Sequence, residues 1–288
     1  MAHPKVISAS DIESVLQTTL SPALRAQCNE ANLQYEELTP EERDHYILEV
    51  VEELTRRGAD DTLRGAGQHR MPDREKGWSE ILLAFKREST IDSLVPPYYG
   101  KQQLVRWKQR IIRPLVPYFD YRIHCIVVDW AVETYLSHVD ALYEFGCGPA
   151  YHLLRARRYN PKARLVGLDW AKSSQDIISE IVASGIEANL EGRHFNLYEP
   201  DYSLNFAPNS GILTVAALEQ VGERFEPYLH VSVVFPDDSK DLAGAPDGVQ
   251  LDMTKVKNEF GKTEYVEFDT GLARTIEWQK ALYEIQKK

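Results

Sequence analysis

Basic residues are the scarce element of this chain. Its 288 residues carry 33 Lys and Arg against 44 Asp and Glu, a formal net charge of -11. That balance excludes a general nucleic-acid binder, because neutralising phosphates takes a basic surface. Cysteine is sparse as well. Cys28, Cys125 and Cys147 stand far apart with no C-x-x-C spacing, so neither a zinc knuckle nor a disulfide framework is indicated, and a reducing, cytoplasmic setting is expected. Long apolar runs are missing: Met1 to Ser8 lack the core of a signal peptide, and no later segment reaches membrane-spanning length. No internal repeat is evident, and no group of His, Cys, Asp and Glu has metal-ligand spacing, so no metal is expected.

What is present is an ordered alternation. Residues before about Pro96 predict helices, with capping-box patterns at Ser10 and Glu13 and at Thr39 and Glu42, the latter ahead of the periodic set Tyr46, Ile47, Val50, Val51 and Leu54. A helix is expected to resume over Glu75 to Lys86. These amphipathic helices read as an N-terminal cap over residues 1–95 that covers the core's edge and mediates dimerisation, or as a lid on a substrate. The paired prolines Pro96 and Pro97 mark a boundary. Beyond it, Gln103 to Arg113 predict a helix whose Arg106, Arg110 and Arg113 share one face beside Tyr98, Tyr99 and Trp107, suited to a phosphate or a sugar-nucleotide diphosphate. The alternative is a solvated face paired with the chain's many acids. A helix over Ile123 to Leu136 follows. Strands are then expected at about 141–145, 164–169, 193–197 and 211–215, with helices at about 150–159, 173–184 and 217–229. Such alternation implies a parallel α/β sheet with right-handed crossovers.

The chemistry gathers at the first of these strands. Tyr143-Glu144-Phe145-Gly146-Cys147-Gly148-Pro149-Ala150, followed by Leu165-Val166-Gly167-Leu168-Asp169, has the form of a strand, a glycine turn, a helix start and a second strand ending in an acid. The third glycine of G-x-G-x-x-G is replaced, with His152 beyond Ala150 and Tyr151, and Glu144 stands before the turn. A pyrophosphate over that carboxylate would be repelled, whereas a cationic amine would be drawn to it. S-adenosylmethionine carries such an amine. Its ammonium would pair with Glu144, its carboxylate would sit near Pro149, and Asp169 would accept from both ribose hydroxyls.

With the GLDWAKSS segment and Leu213 to Gly222, which contain ALEQVG, this turn resembles class I S-adenosylmethionine-dependent methyltransferases, chiefly those associated with sugar and surface-polysaccharide modification. The resemblance covers roughly Pro96 to Leu229. It implies a Rossmann-like core over residues 96–235, with Glu144, Gly146, Gly148, Asp169, Trp170 and Asn196 holding the cofactor and Asn196 meeting the adenine edge. Glu219, just past the fourth strand, is the candidate base, against the alternative of an acid that complements a helix dipole. His152 and His194 read as structural.

Family sheets have about seven strands. Here His230 to Phe235 offer one more strand before Pro236 to Asp241 break the pattern, so a sheet cut to about five strands is expected, closed by a helical tail over residues 236–288. That tail, around Gly248 to Val256 and Asp269 to Trp278, resembles the end of NAD-dependent sugar-nucleotide epimerases, although the catalytic Tyr-x-x-x-Lys of such enzymes is missing. The expectation is methyl transfer to a hydroxyl of a sugar or sugar nucleotide, with Arg106 and Arg110 holding an anionic acceptor. A noncatalytic nucleoside-fold binding protein and an epimerase relative are the alternatives.

Overall fold

The computed structural model describes residues 4–57 and 66–229, together with Val231 and Arg274. The chain divides into two compact units, Met1–Val233 and Val234–Lys288. The expected strand at His230 to Phe235, Val231 apart, and the epimerase-like tail, Arg274 apart, lie outside the described residues.

Two sheets organise the first unit. One is antiparallel and small, with strands β1 (Lys5–Val6), β2 (Gln34–Glu37), β3 (Val105–Trp107) and β4 (Arg110–Pro114) in the order β1-β2-β4-β3. The N-terminal region is therefore not purely helical. Its helices α1 (Ala9–Leu16) and α2 (Pro22–Ala31) pack Ile12, Leu24 and Cys28 against Ile112 of β4 and Ile126 of a later helix. The first capping box sits two residues earlier than Ser10 and Glu13. Ser8 caps α1 together with Asp11, and Glu13 instead accepts from the backbone of Leu20 at 2.8 Å. The second box matches the expectation: Thr39 and Glu42 exchange hydrogen bonds at 2.9 and 3.2 Å ahead of α3 (Pro40–Arg57).

The segment from 103 to 113 corrects the sequence reading. It is a hairpin of β3 and β4, turned by Lys108 and Gln109 with φ of 45° and 65°. Apolar residues at 105, 107 and 112 favour a pleated ribbon, while a two-residue turn with both φ positive is ordinarily signalled by Asn-Gly, which is missing here. Arg110 binds Glu37 at 2.7 Å, Arg113 binds Glu42 at 2.9 Å, and Arg106 is exposed. The arginines thus do not form one helical face.

Helix α4 (Met71–Glu88) starts earlier than Glu75, because Pro72 is tolerated in a first turn. Helix α5 (Phe119–Ala131) continues into a π-helical turn, Val132–Leu136, and delivers the chain to the parallel sheet. Strands β5 (Ala141–Phe145), β6 (Arg164–Asp169), β7 (Leu190–His194) and β8 (Ser210–Thr214) form that sheet in the order β7-β6-β5-β8. Helices α6 (Tyr151–Ala156) and α7 (Lys172–Ala183) make the first crossovers. β5 is buried at every residue, as expected for a strand covered on both faces. Leu142 and Leu165 point into one core with Ile177 and Ile181, while Tyr143, Phe145 and Val166 point into another with Phe195.

The third strand lies three residues before its expected place, and the helix expected over 217–229 is broken into the 3-10 turns Leu218–Gln220 and Gly222–Arg224 and a short α8 (Glu226–Leu229). Gly222 at φ 60° interrupts it. A buried charge cluster ties the two halves together: Asp129 of α5, 1% exposed, accepts from Arg155 of α6 and, at 2.9 Å, from Gln27 of α2.

Candidate functional site

The chain leaves β5 toward β6 and β7 on one side and returns to β8 on the other, so the strand order reverses between β5 and β8. In open α/β sheets ligands bind outside the carboxyl ends of the strands at this point. A cavity of about 520 Å³ opens there, lined by Gly146 and Gly148 after β5, Asp169 and Trp170 after β6, Tyr198 after β7 and Ala217 after β8. Its size is that of small-molecule sites.

The glycine turn is shaped for close approach. Gly146 has φ 70°, and a Cβ on it would lie 2.4 Å from Cβ of Ala217; Gly148 has φ 50°, and its Cβ would lie 2.8 Å from the Trp78 ring. Neither position accepts a side chain without strain. Asp169 organises this turn from beneath. One carboxylate oxygen accepts from the Gly148 amide at 2.8 Å and the other from Ala171 at 2.9 Å. Burial pushes the Asp169 carboxyl from its ordinary 3.8 up to about 6, with the charge of Glu144 adding to the shift and the two amides opposing it.

Glu144 is wholly buried and is not among the residues lining the cavity. One of its oxygens accepts from Nδ1 of His152 at 2.8 Å, and the other has no hydrogen-bond partner. His152, which does line the cavity, places Nε2 3.2 Å from Nε2 of His124. Burial pushes His124 down to about 4, with His152 and Arg155 adding repulsion. His124 is therefore neutral near pH 7, and Glu144, His152 and His124 form a chain of ring and carboxylate contacts whose middle member, His152, stands at the cavity wall.

The roof comes from α4 and the proline loop. Met71, Arg74 and Trp78 face the cavity from α4, and Tyr98 and Lys101 join them from beyond Pro96 and Pro97. Two contacts fasten α4 to the core: the Ser173 amide donates to the Glu75 side chain at 3.1 Å, and the Ser173 hydroxyl donates to the Glu75 carbonyl at 3.2 Å. Of the N-terminal helices, α4 thus lies over the glycine turn.

Five residues singled out from sequence meet at this cavity: Gly146, Gly148, Asp169, Trp170 and Glu219. Asn196 lies outside the lining; its side-chain oxygen accepts from the Tyr198 amide at 3.0 Å and caps a turn. Arg106 and Arg110 lie on the hairpin and outside the lining as well. Sequence reasoning passed over Arg74 and Trp78, which reach the cavity from a remote segment, and named Tyr98 only as a ring beside the arginines. For His152 a local signal existed, since it follows Glu144 by eight residues across a tight turn. Among the described residues no group of three metal-ligating side chains occurs, and no helix is long and apolar enough to cross a membrane.

Fold and site define a Rossmann-like α/β protein with a nucleoside-sized cavity at its topological switch point. No family model and no curated protein matches the chain. Solved structures similar to it include the S-adenosylmethionine-dependent methyltransferase SibL in its apo form, at 13% identity, 75% coverage of this chain and TM-score 0.28. An O-methyltransferase family protein from Burkholderia thailandensis is similar at 14% identity, 68% coverage and TM-score 0.24. A third is N,N-8-amino-8-demethyl-D-riboflavin dimethyltransferase (RosA) from Streptomyces davawensis, at 13% identity, 68% coverage and TM-score 0.20. The chain covers 62%, 56% and 58% of these three proteins, respectively.

Proposed function

We propose that this protein is an S-adenosylmethionine-dependent methyltransferase acting on a hydroxyl acceptor. The observation that carries the reading is the pairing of a buried carboxylate at the end of β6 with a glycine turn that lacks a third glycine and stands above a second buried acid. Residues and cofactor fit one another. Asp169 retains lone pairs for ribose hydroxyls beyond its two amide contacts. The positions of Gly146 and Gly148 keep the turn bare, and the unpartnered oxygen of Glu144 leaves an open acceptor beneath it. S-adenosylmethionine bound there would supply a methyl group on a sulfonium.

Holding the acceptor in line with that methyl and accepting its hydroxyl proton are the protein's tasks. Among the cavity's carboxylates, Glu219 can take the proton. Glu219 lies in a 3-10 turn and accepts from the side-chain nitrogen of the neighbouring Gln220 at 3.1 Å. His152 also lines the cavity, but Nδ1 donates to Glu144 and Nε2 meets Nε2 of His124 at 3.2 Å, so both ring nitrogens are engaged within the protein. The finer acceptor class, a sugar or sugar nucleotide, is supported by the tail's resemblance to sugar-nucleotide enzymes.

Calorimetry with S-adenosylhomocysteine and with NAD tests this reading. S-adenosylhomocysteine should bind and NAD should not; the reverse would establish a dinucleotide site. Binding without methyl transfer to any of a panel of sugar nucleotides would favour the noncatalytic alternative.

A further inference from the structure

The roof of the cavity holds a guanidinium that forms no direct ion pair with any described carboxylate, the charge of Asp169 reaching it only across the cavity. Arg74 is half-buried, and its Nη2 donates to the side-chain oxygen of Gln220, a neutral partner. Among the described residues it forms no ion pair. Each carboxylate lining the cavity is engaged elsewhere: Asp73 by Arg70 at 3.1 Å, Asp169 by two backbone amides, and Glu219 by the side-chain nitrogen of Gln220. A charge drawn out of water is costly unless a partner of opposite sign meets it. Burial pushes the Arg74 guanidinium down from its ordinary value and repulsion from Arg70 acts in the same direction, with the charge of Asp169 among the smaller opposing effects.

Its location suggests which ligand is served. Strand ends build the floor and carry the nucleoside-facing groups, Asp169 and Trp170. Arg74 and Lys101 belong to the roof, which is assembled from segments outside the parallel sheet. A guanidinium has five N–H donors, and one bond to Gln220 leaves a fork open for the two oxygens of an oxyanion.

We propose that Arg74 anchors an anion subsite in the roof of the cavity, and that the acceptor carries a carboxylate or a phosphate. The inference rests on the proposed function only in assigning the anion to the acceptor. Carboxylate and phosphate share the chemistry that a guanidinium fork recognises, and the probes below separate them. The cofactor's own carboxylate is the competing occupant.

The experiment titrates wild type, Arg74→Gln and Arg74→Lys, each saturated with S-adenosylhomocysteine at constant ionic strength, with inorganic phosphate and separately with acetate. Thermal unfolding of each variant monitors folding. Wild type should bind at least one of the anions, and the better-bound one identifies the class. Arg74→Gln should weaken that binding at least tenfold, Arg74→Lys should lose less, and affinity for S-adenosylhomocysteine should stay within twofold in both. The proposal is overturned if wild type binds neither anion, if Arg74→Gln binds the anion as wild type does, or if the main loss is in S-adenosylhomocysteine affinity, which would give Arg74 to the cofactor. Should wild type fail to bind S-adenosylhomocysteine, the proposed function falls. The anion titration of the free protein then still decides whether Arg74 anchors a subsite.

Discussion

Mild acid should release the nucleoside from this cavity at a pH where exposed carboxylates remain ionised. Asp169 is the reason. Its carboxyl is raised from 3.8 to about 6, mainly by burial. The displacement is about two units, and at 1.36 kcal/mol per unit the ionised form is disfavoured in the folded protein by about 3 kcal/mol relative to the unfolded chain. The sign follows directly. Between 3.8 and about 6 the folded state holds a proton that the unfolded state has released. Asp169 therefore contributes stability that is complete below 3.8 and lost as pH rises through about 6.

Ligand binding runs the other way, because ribose hydroxyls donate to the ionised carboxylate. As pH falls below about 6, affinity for S-adenosylhomocysteine should decline toward tenfold per unit, the limit when one proton must be expelled on binding. Calorimetry at pH 7.5, 6.0 and 5.0 measures this slope, and Asp169→Asn should flatten it while weakening binding at pH 7.5. A wild-type affinity that stays flat from pH 7.5 to 5.0 would refute the reasoning. So would a slope that persists in Asp169→Asn.

Two further outcomes are expected. Asp129→Ala strands the Arg155 guanidinium in the interior and removes the Gln27 contact; it should cost about 3 to 5 kcal/mol, the range for breaking a buried ion pair, seen as a large fall in melting temperature by circular dichroism. Replacing Arg106 and Arg110 together with Gln should leave S-adenosylhomocysteine affinity unchanged and alter stability by less than about 1 kcal/mol, because the pair formed by Arg110 with Glu37 is a surface one. A tenfold loss of cofactor affinity in that double variant would return the hairpin to the site.

Local physics made part of this protein legible from sequence. The residues of β5 and β6 are apolar enough to be buried on both faces, so their continuous runs mark central parallel strands without any knowledge of their neighbours. Gly146 and Gly148 announce a turn with positive φ, and Asp169 announces an acceptor at a strand end. The cap of α3 by Thr39 and Glu42 is equally local. Other features depended on what each segment meets in space. Residues 105–114 form a ribbon because β4 pairs with β2 and buries Ile112, a long-range outcome that outweighs the helical spacing of the arginines. Asn196 became a turn cap because the strand before it ended at His194. Glu144 went beneath the turn, into the hold of His152, and out of direct reach of the cavity. Arg74, Trp78 and Tyr98 carry no motif, and only the docking of α4 and the proline loop over the glycine turn brings them to the site. Chain propensity and burial pattern determined the sheet and its carboxylate; the packing of remote segments decided which side chains roof the cavity and which charge waits there for an anion.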